Sequence, residues 1–284
     1  MIRTWLARLE DRLTFVGSSV SERVLGDTPA DYGLTFGRVT IRSADGVALM
    51  AWEIPAASAA PWVLYLHGNG RNVSSYLEPA AQLHRLGFNV LLLEYRGFGE
   101  SEGFPSEAGL YRDADAAYRH LMAQGVPAAR LVVYGFSLGT GVAIDVSSRL
   151  PVGALVVEAG YTSLPDVARS LYRLAPTSLM RNRFASAEKL ARVRAPTLFM
   201  HARDDRTVPF AQGQRLFALS RQEKAFLELQ QGHLGLIRGH GGEVWAQVGA
   251  FLWQHLPTKT EATKTELDKT EVNKTAPELV EAAC

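Results

Sequence analysis

From residue 62 onward, short continuous apolar runs alternate with stretches of helical spacing. The runs cover 62–66 (WVLYL), 89–93 (NVLLL), 131–134 (LVVY), 153–157 (GALVV), 196–200 (PTLFM) and 225–229 (AFLEL). Helical spacing lies near 74–86, 107–123, 138–149, 211–221 and 243–256. Strands that are apolar on both faces and separated by helices predict an α/β fold, with a mostly parallel central sheet and helices on both faces. Ahead of them, residues 38–54 alternate around Ala44-Asp45-Gly46, with Val39 and Ile41 on one side and Val47, Leu49 and Trp52 on the other. That pattern predicts a hairpin.

Three segments break this rhythm. Residues 2–24 place Ile2, Trp5, Leu6, Leu9, Leu13, Val16, Val20 and Val24 at steps of mostly three or four, a helical stripe. Two readings fit it: a helix packed on its own domain, or an interfacial helix giving peripheral membrane contact through residues 1–24. An insertion at about 160–192 mixes Arg with Leu at helical spacing and predicts a small helical cap. Its Leu164, Val167, Leu171, Tyr172 and Leu174 are candidates to line an apolar acyl pocket. In the tail, Lys259-Thr260-Glu261, Lys264-Thr265-Glu266 and Lys269-Thr270-Glu271 recur every five residues, a period that keeps to neither a helix face nor a strand face. With no aromatic residue after Trp253, residues 258–284 are expected to be a disordered low-complexity tail, with a tether or partner-binding role as the alternative. The expected organisation is an N-terminal amphipathic helix within 1–30, a domain at 31–257, and the tail.

Composition narrows the classes. The chain has 284 residues and is 47% hydrophobic, enough for one large core. A net charge of +1 gives no electrostatic case for a nucleic-acid partner. The single cysteine, Cys284, permits no internal disulfide, which suits a reducing, cytoplasmic location. No apolar run reaches the ~18 residues of a membrane span, and the charged start does not read as a secretory signal.

The candidate chemistry centres on Gly135-Phe136-Ser137-Leu138-Gly139, between an apolar run and a helix of small residues. A G-x-S-x-G pattern at a strand-to-helix turn presents a serine for nucleophilic attack. A base and an acid should follow it in that fold, in the order Ser, acid, His. His67, His84 and His120 precede Ser137. Of those after it, His233 directly follows the last run; His240 is the rival in a glycine-rich loop, and His255 is expected to be exposed on the final helix. The acid lies in Asp204-Asp205, beyond the 196–200 run, with Glu158 as a further rival. The oxyanion hole needs two backbone N–H groups. Leu138 follows the nucleophile, and Asn69 lies in His67-Gly68-Asn69-Gly70 after the first core run. A dinucleotide site is disfavoured, since the third glycine of G-x-G-x-x-G is Val73 in one candidate and Glu102 in the other. His201, Asp204 and His233 lack the compact spacing of a metal site. No cofactor and no metal are expected.

Together with Leu66-His67-Gly68-Asn69-Gly70, Tyr95-Arg96-Gly97-Phe98-Gly99-Glu100-Ser101, Asp205-Arg206-Thr207-Val208-Pro209 and Gly232-His233, these residues make the chain resemble the α/β-hydrolases. It is most similar to serine hydrolases of the serine aminopeptidase/monoglyceride-lipase type, including depalmitoylase-like and lysophospholipase-like members. The resemblance runs from about Phe36 to Leu256. In that family the acid precedes a Val-Pro pair by two residues, hence Asp205. Three departures stand out: Glu94 where Asp is usual, Ala202 where Gly is common, and Gln231 in place of a glycine.

The expectation is a serine hydrolase that cleaves carboxylic ester or thioester bonds of a small-molecule or lipid-like acyl substrate, with Ser137, Asp205 and His233 as the triad. The alternatives are a peptidase or amidase with the same triad and a non-catalytic binding protein on a hydrolase fold.

Overall fold

The computed structural model describes residues 10, 11, 14–18, 24–172, 177–238, 242–258, 260 and 261. Eight strands form one sheet: β1 (Gly37–Arg42), β2 (Ala48–Ile54), β3 (Trp62–Leu66), β4 (Asn89–Leu93), β5 (Leu131–Phe136), β6 (Ala154–Glu158), β7 (Thr197–Ala202) and β8 (Lys224–Leu229). Their order is β1-β2-β4-β3-β5-β6-β7-β8. The β1–β2 and β2–β4 pairs are antiparallel, and every pair from β4 to β8 is parallel. The predicted hairpin and all six predicted runs are therefore strands of a single sheet.

The helices are α1 (Leu77–Arg85), α2 (Glu107–Ala123), α3 (Leu138–Arg149), α4 (Leu164–Leu171), α5 (Ser186–Leu190), α6 (Phe210–Leu219) and α7 (Gly242–His255). Alternate residues of each central strand enter one of two cores. Leu64, Leu66, Leu91, Leu93, Val133, Leu155 and Val157 pack with Leu110 and Leu121 of α2 and Val142 and Ile144 of α3. Val63, Tyr65, Val90, Leu92, Val132, Tyr134 and Val156 pack with Leu77 and Leu83 of α1 and Val248 and Leu252 of α7. This two-sided burial explains why the strands read as unbroken apolar runs.

The expected continuous helix over 2–24 is not what the described residues adopt. The chain is helical at Glu10, Asp11 and Thr14, leaves the helix at Phe15, and makes a 3-10 turn over Val16–Ser18. Phe15, off the predicted stripe, is 1% exposed, whereas Val16, on it, is 55% exposed. Gly17 and Ser18 are poor helix formers, and the break rotates Phe15 into the core. Most of residues 1–23 lie outside the described residues, as do Leu174 of the cap and 262–284 of the tail. Among the described residues, no helix is long and apolar enough to cross a membrane.

In the cap, Leu164 and Val167 pack against the main core, while Leu171 and Tyr172 are exposed. The four described residues of that expected pocket lining are thus divided between core and solvent.

Candidate active site

The parallel strands end on one edge of the sheet, and the candidate residues gather along that edge. Ser137 follows β5 directly and caps α3 at φ 49° and ψ −118°. A non-glycine residue held there stores on the order of 1–3 kcal/mol of strain. Its neighbours hold it: Ser137 N–H donates to Glu158 O at 2.9 Å, and the Thr140 N–H and hydroxyl donate to Ser137 O at 2.9 and 2.7 Å. The flanking glycines are required by contact. A Cβ on Gly139 would lie 2.0 Å from Leu66 O, and one on Gly135 would lie 2.6 Å from Gly139 O.

His233 lies four residues beyond β8 and Asp205 three beyond β7. His233 Nε2 is 2.9 Å from Ser137 Oγ, and its Nδ1 is 2.7 Å from Asp205 Oδ2. A carboxylate only accepts, so Nδ1–H donates to it and Nε2 is left to accept from Ser137 Oγ–H. Asp205 Oδ1 accepts from the backbone N–H groups of Thr207 and Val208 at 2.8 and 2.9 Å. Burial pushes the Asp205 pKa up. The hydrogen bonds from His201 and His233, the His233 charge and the Val208 N–H outweigh it and hold the carboxyl well below the usual range.

The rival residues take other positions. Asp204 Oδ1 accepts from Gly232 N–H at 2.9 Å, bracing the histidine loop from below. That loop turns through Gln231 at φ 94° and Gly232 at φ 70°. Gln231, where a glycine was expected, therefore occupies a backbone region that glycine favours. His201 Nε2 lies 3.4 Å from Asp205 Oδ2, the oxygen that His233 also reaches, and donates to Val208 O at 2.9 Å. His240 lies outside the described residues. His255, expected to be exposed, is mostly buried: its Nδ1–H donates to Phe251 O at 2.7 Å, and Nε2 lies 2.9 Å from Glu223 Oε1.

Glu158, at the end of β6, is buried and accepts from Tyr134 Oη at 2.6 Å. It lines a cavity of about 210 Å³ together with His201, Asp205, Gln231 and His233. Burial, reinforced by the Asp205 charge and only partly opposed by Tyr134, raises its pKa to about 7, against 4.5 when exposed. Between those values the folded protein holds a proton that the unfolded chain has lost, so stability falls as pH rises through that window. By pH 8 the loss is about 3 kcal/mol. Glu158→Gln should remove it: thermal melts at pH 4 and pH 8 should differ less for the variant than for the parent.

The loop expected to supply the second oxyanion donor leaves β3 beside the elbow, because Leu66 pairs with Gly135. Leu138 N–H is the first of α3, where no helical carbonyl is available to it. The loop carrying Asn69 is held from inside by Glu94, whose Oε1 is 3.0 Å from His67 Nε2 and whose Oε2 accepts from Val73 N–H at 3.0 Å. Tyr76 Oη donates to Gly70 O at 3.0 Å. The sequence showed Glu94 only as a departure from Asp; here it is a buried brace under this loop.

The family described as serine aminopeptidase, S33, matches residues 57–182. A lysophosphatidylserine lipase of Danio rerio is 36% identical over 61% of this chain, which spans about half (51%) of that relative. An uncharacterized protein of Mycobacterium tuberculosis is 37% identical over 66% of this chain and 69% of its own length. The α/β-hydrolase domain-containing protein WAV2 of Arabidopsis thaliana is 30% identical over 82% of this chain and 83% of its own. Among solved structures, the esterase Pf2001 of Pyrococcus furiosus superposes with a TM-score of 0.70 at 22% identity, covering 83% of this chain and 96% of that one. An α/β-hydrolase of Vibrio vulnificus reaches 0.73 at 20% identity over 87% and 93%. The match to the α/β-hydrolase domain-containing WAV2, at 30% identity over 83% of that protein, with a sheet order and solved structures that agree in fold, shows that this chain belongs to the α/β-hydrolase superfamily.

Proposed function

We propose that this protein is a serine hydrolase acting on carboxylic esters or thioesters of a lipid-like acyl chain. The observation that carries the reading is the continuous hydrogen-bonded chain from Ser137 Oγ through His233 to Asp205, at 2.9 and 2.7 Å, on a strained elbow. His233 Nε2 takes the Ser137 proton as Oγ attacks the acyl carbonyl. The backbone N–H groups of Leu138 and Asn69 hold the oxyanion. His233 then gives that proton to the leaving alcohol or thiol. A water, deprotonated by His233, attacks the acyl-serine ester, and the proton returns to Ser137 as the acid leaves. Asp205 stays ionised, in keeping with its lowered pKa.

The lipid-like substrate class is supported by the lysophosphatidylserine lipases among the relatives. The serine aminopeptidase description of the matching family favours a second reading, hydrolysis of amides by the same groups. A panel of p-nitrophenyl esters from acetyl to palmitoyl, run beside aminoacyl p-nitroanilides, separates the two. Turnover of esters that improves with chain length, with anilides inert, is expected. Anilide turnover with inert esters overturns the ester assignment, and a preference for acetyl overturns the lipid-like substrate.

A further inference from the structure

We propose that the segment around Thr14 and Phe15 is a positioning element of the oxyanion hole, holding Asn69 through its side chain so that its backbone N–H is aimed before substrate arrives. The proposal rests on the serine-hydrolase reading above.

The Asn69 amide has one hydrogen bond among the described residues. Its Nδ2 donates to Thr14 O at 2.5 Å, and its Oδ1 is buried without a partner. The acceptor is a main-chain carbonyl 55 residues upstream, so its position depends on what anchors the segment. Phe15, 1% exposed, packs edge-on to Phe184 with ring centres 6.3 Å apart, and Phe184 packs edge-on to Tyr111 at 5.6 Å. Glu10 Oε1 accepts from the N–H groups of Arg181 and Asn182 at 2.6 and 2.9 Å, and Asp11 Oδ1 accepts from Asn182 Nδ2 at 2.8 Å. Phe15 N–H donates to Asp11 O at 2.8 Å, tying the anchor to the carbonyl beside it. Asn182 Oδ1 in turn accepts from Glu107 N–H at the start of α2, at 2.9 Å. One short segment therefore links the cap, the first turn of α2 and the oxyanion loop.

That loop needs an outer restraint. Asn69 sits between Gly68 and Gly70, and Arg71 follows at φ 59°. Glu94 and Tyr76 hold the loop on either side of Asn69, at His67, Val73 and Gly70. An oxyanion donor acts through being fixed before charge develops, and removing one costs about 10²–10³-fold in kcat. Asn69→Ala keeps the donor N–H and removes only the tether, so misplacement by a fraction of an ångström should cost less, about 10- to 100-fold.

The test is a double-mutant cycle of Asn69→Ala and Phe15→Ala on p-nitrophenyl butyrate, with thermal melts and fluorophosphonate labelling as parallel readouts. Each variant should lower kcat about 10- to 100-fold with KM within about threefold, the pattern of an interaction felt in the transition state. The double variant should match the worse single one, because both remove the same tether. Should Phe15→Ala fail to fold, the Glu10→Ala, Asp11→Ala pair removes the acceptors that hold the same anchor. An Asn69→Ala enzyme of unchanged kcat, or losses that multiply in the double variant, overturns the proposal while leaving the functional reading standing. A parent protein that neither cleaves the ester nor takes the probe at Ser137 overturns both.

Discussion

Ser137→Ala should lower kcat on p-nitrophenyl esters by about 10⁴–10⁶-fold while leaving the fold in place. Alanine keeps the Cβ and the backbone contacts that hold the elbow, and only Oγ is lost. The Ser137 N–H bond to Glu158 O and the Thr140 bonds to Ser137 O do not involve the side chain. Melting temperature should therefore change little, and loss of activity with retained structure isolates the nucleophile. Single-turnover kinetics on the purified variant make the measurement. A loss below tenfold would place the chemistry elsewhere.

Asp205→Asn should lower kcat by about 10⁴-fold. The reason lies in how the asparagine would seat. Two backbone N–H groups, of Thr207 and Val208, point at Oδ1 and require an oxygen there. The amide NH2 must then face His233 Nδ1, where Oδ2 stood. Its two hydrogens drive the imidazole proton to Nε2, and Nε2–H meets Ser137 Oγ as a donor instead of an acceptor. The base is present but holds its proton in the wrong place. Glu158→Gln provides the contrast. Glu158 has no hydrogen bond to His233 and is held by Tyr134, so its replacement should change kcat less than tenfold at pH 7. A collapse in Glu158→Gln with activity retained in Asp205→Asn would move the acid to β6. Steady-state kinetics of the two variants on one ester decide it.

Much of the sheet was legible because each central strand is buried on both faces, so its position survives as an unbroken apolar run. The run at 131–134 continues as strand to Phe136, which Gly135 hid from the pattern. Ser137 and His233 were singled out by the loops they occupy, and the choice of Asp205 over Asp204 came from the resemblance to a family. The structure supplies the physical difference between the two. Asp205 faces two imidazoles, whereas Asp204 turns to the Gly232 N–H.

What was not legible depends on contacts between distant parts of the chain. The N-terminal stripe predicted Val16 inward, but a break near Gly17 puts Phe15 in the core. No periodicity reports a backbone carbonyl, so the Thr14 contact to Asn69 leaves no mark in the sequence. Glu94 stood out only as a substitution; its partners His67 and Val73 lie more than twenty residues away. The cap residues had the right spacing for an apolar face, but spacing alone does not say whether that face meets a substrate or the domain beneath it.

Acyl transfer through Ser137 is tested by mass spectrometry of the protein quenched in acid within the first turnovers of a p-nitrophenyl ester, followed by peptide mapping. One acyl adduct is expected, on the peptide containing Gly135-Phe136-Ser137-Leu138-Gly139, and it should be absent in Ser137→Ala. Ester turnover accompanied by an adduct on any other residue, or persisting undiminished in Ser137→Ala, would contradict transfer through Ser137.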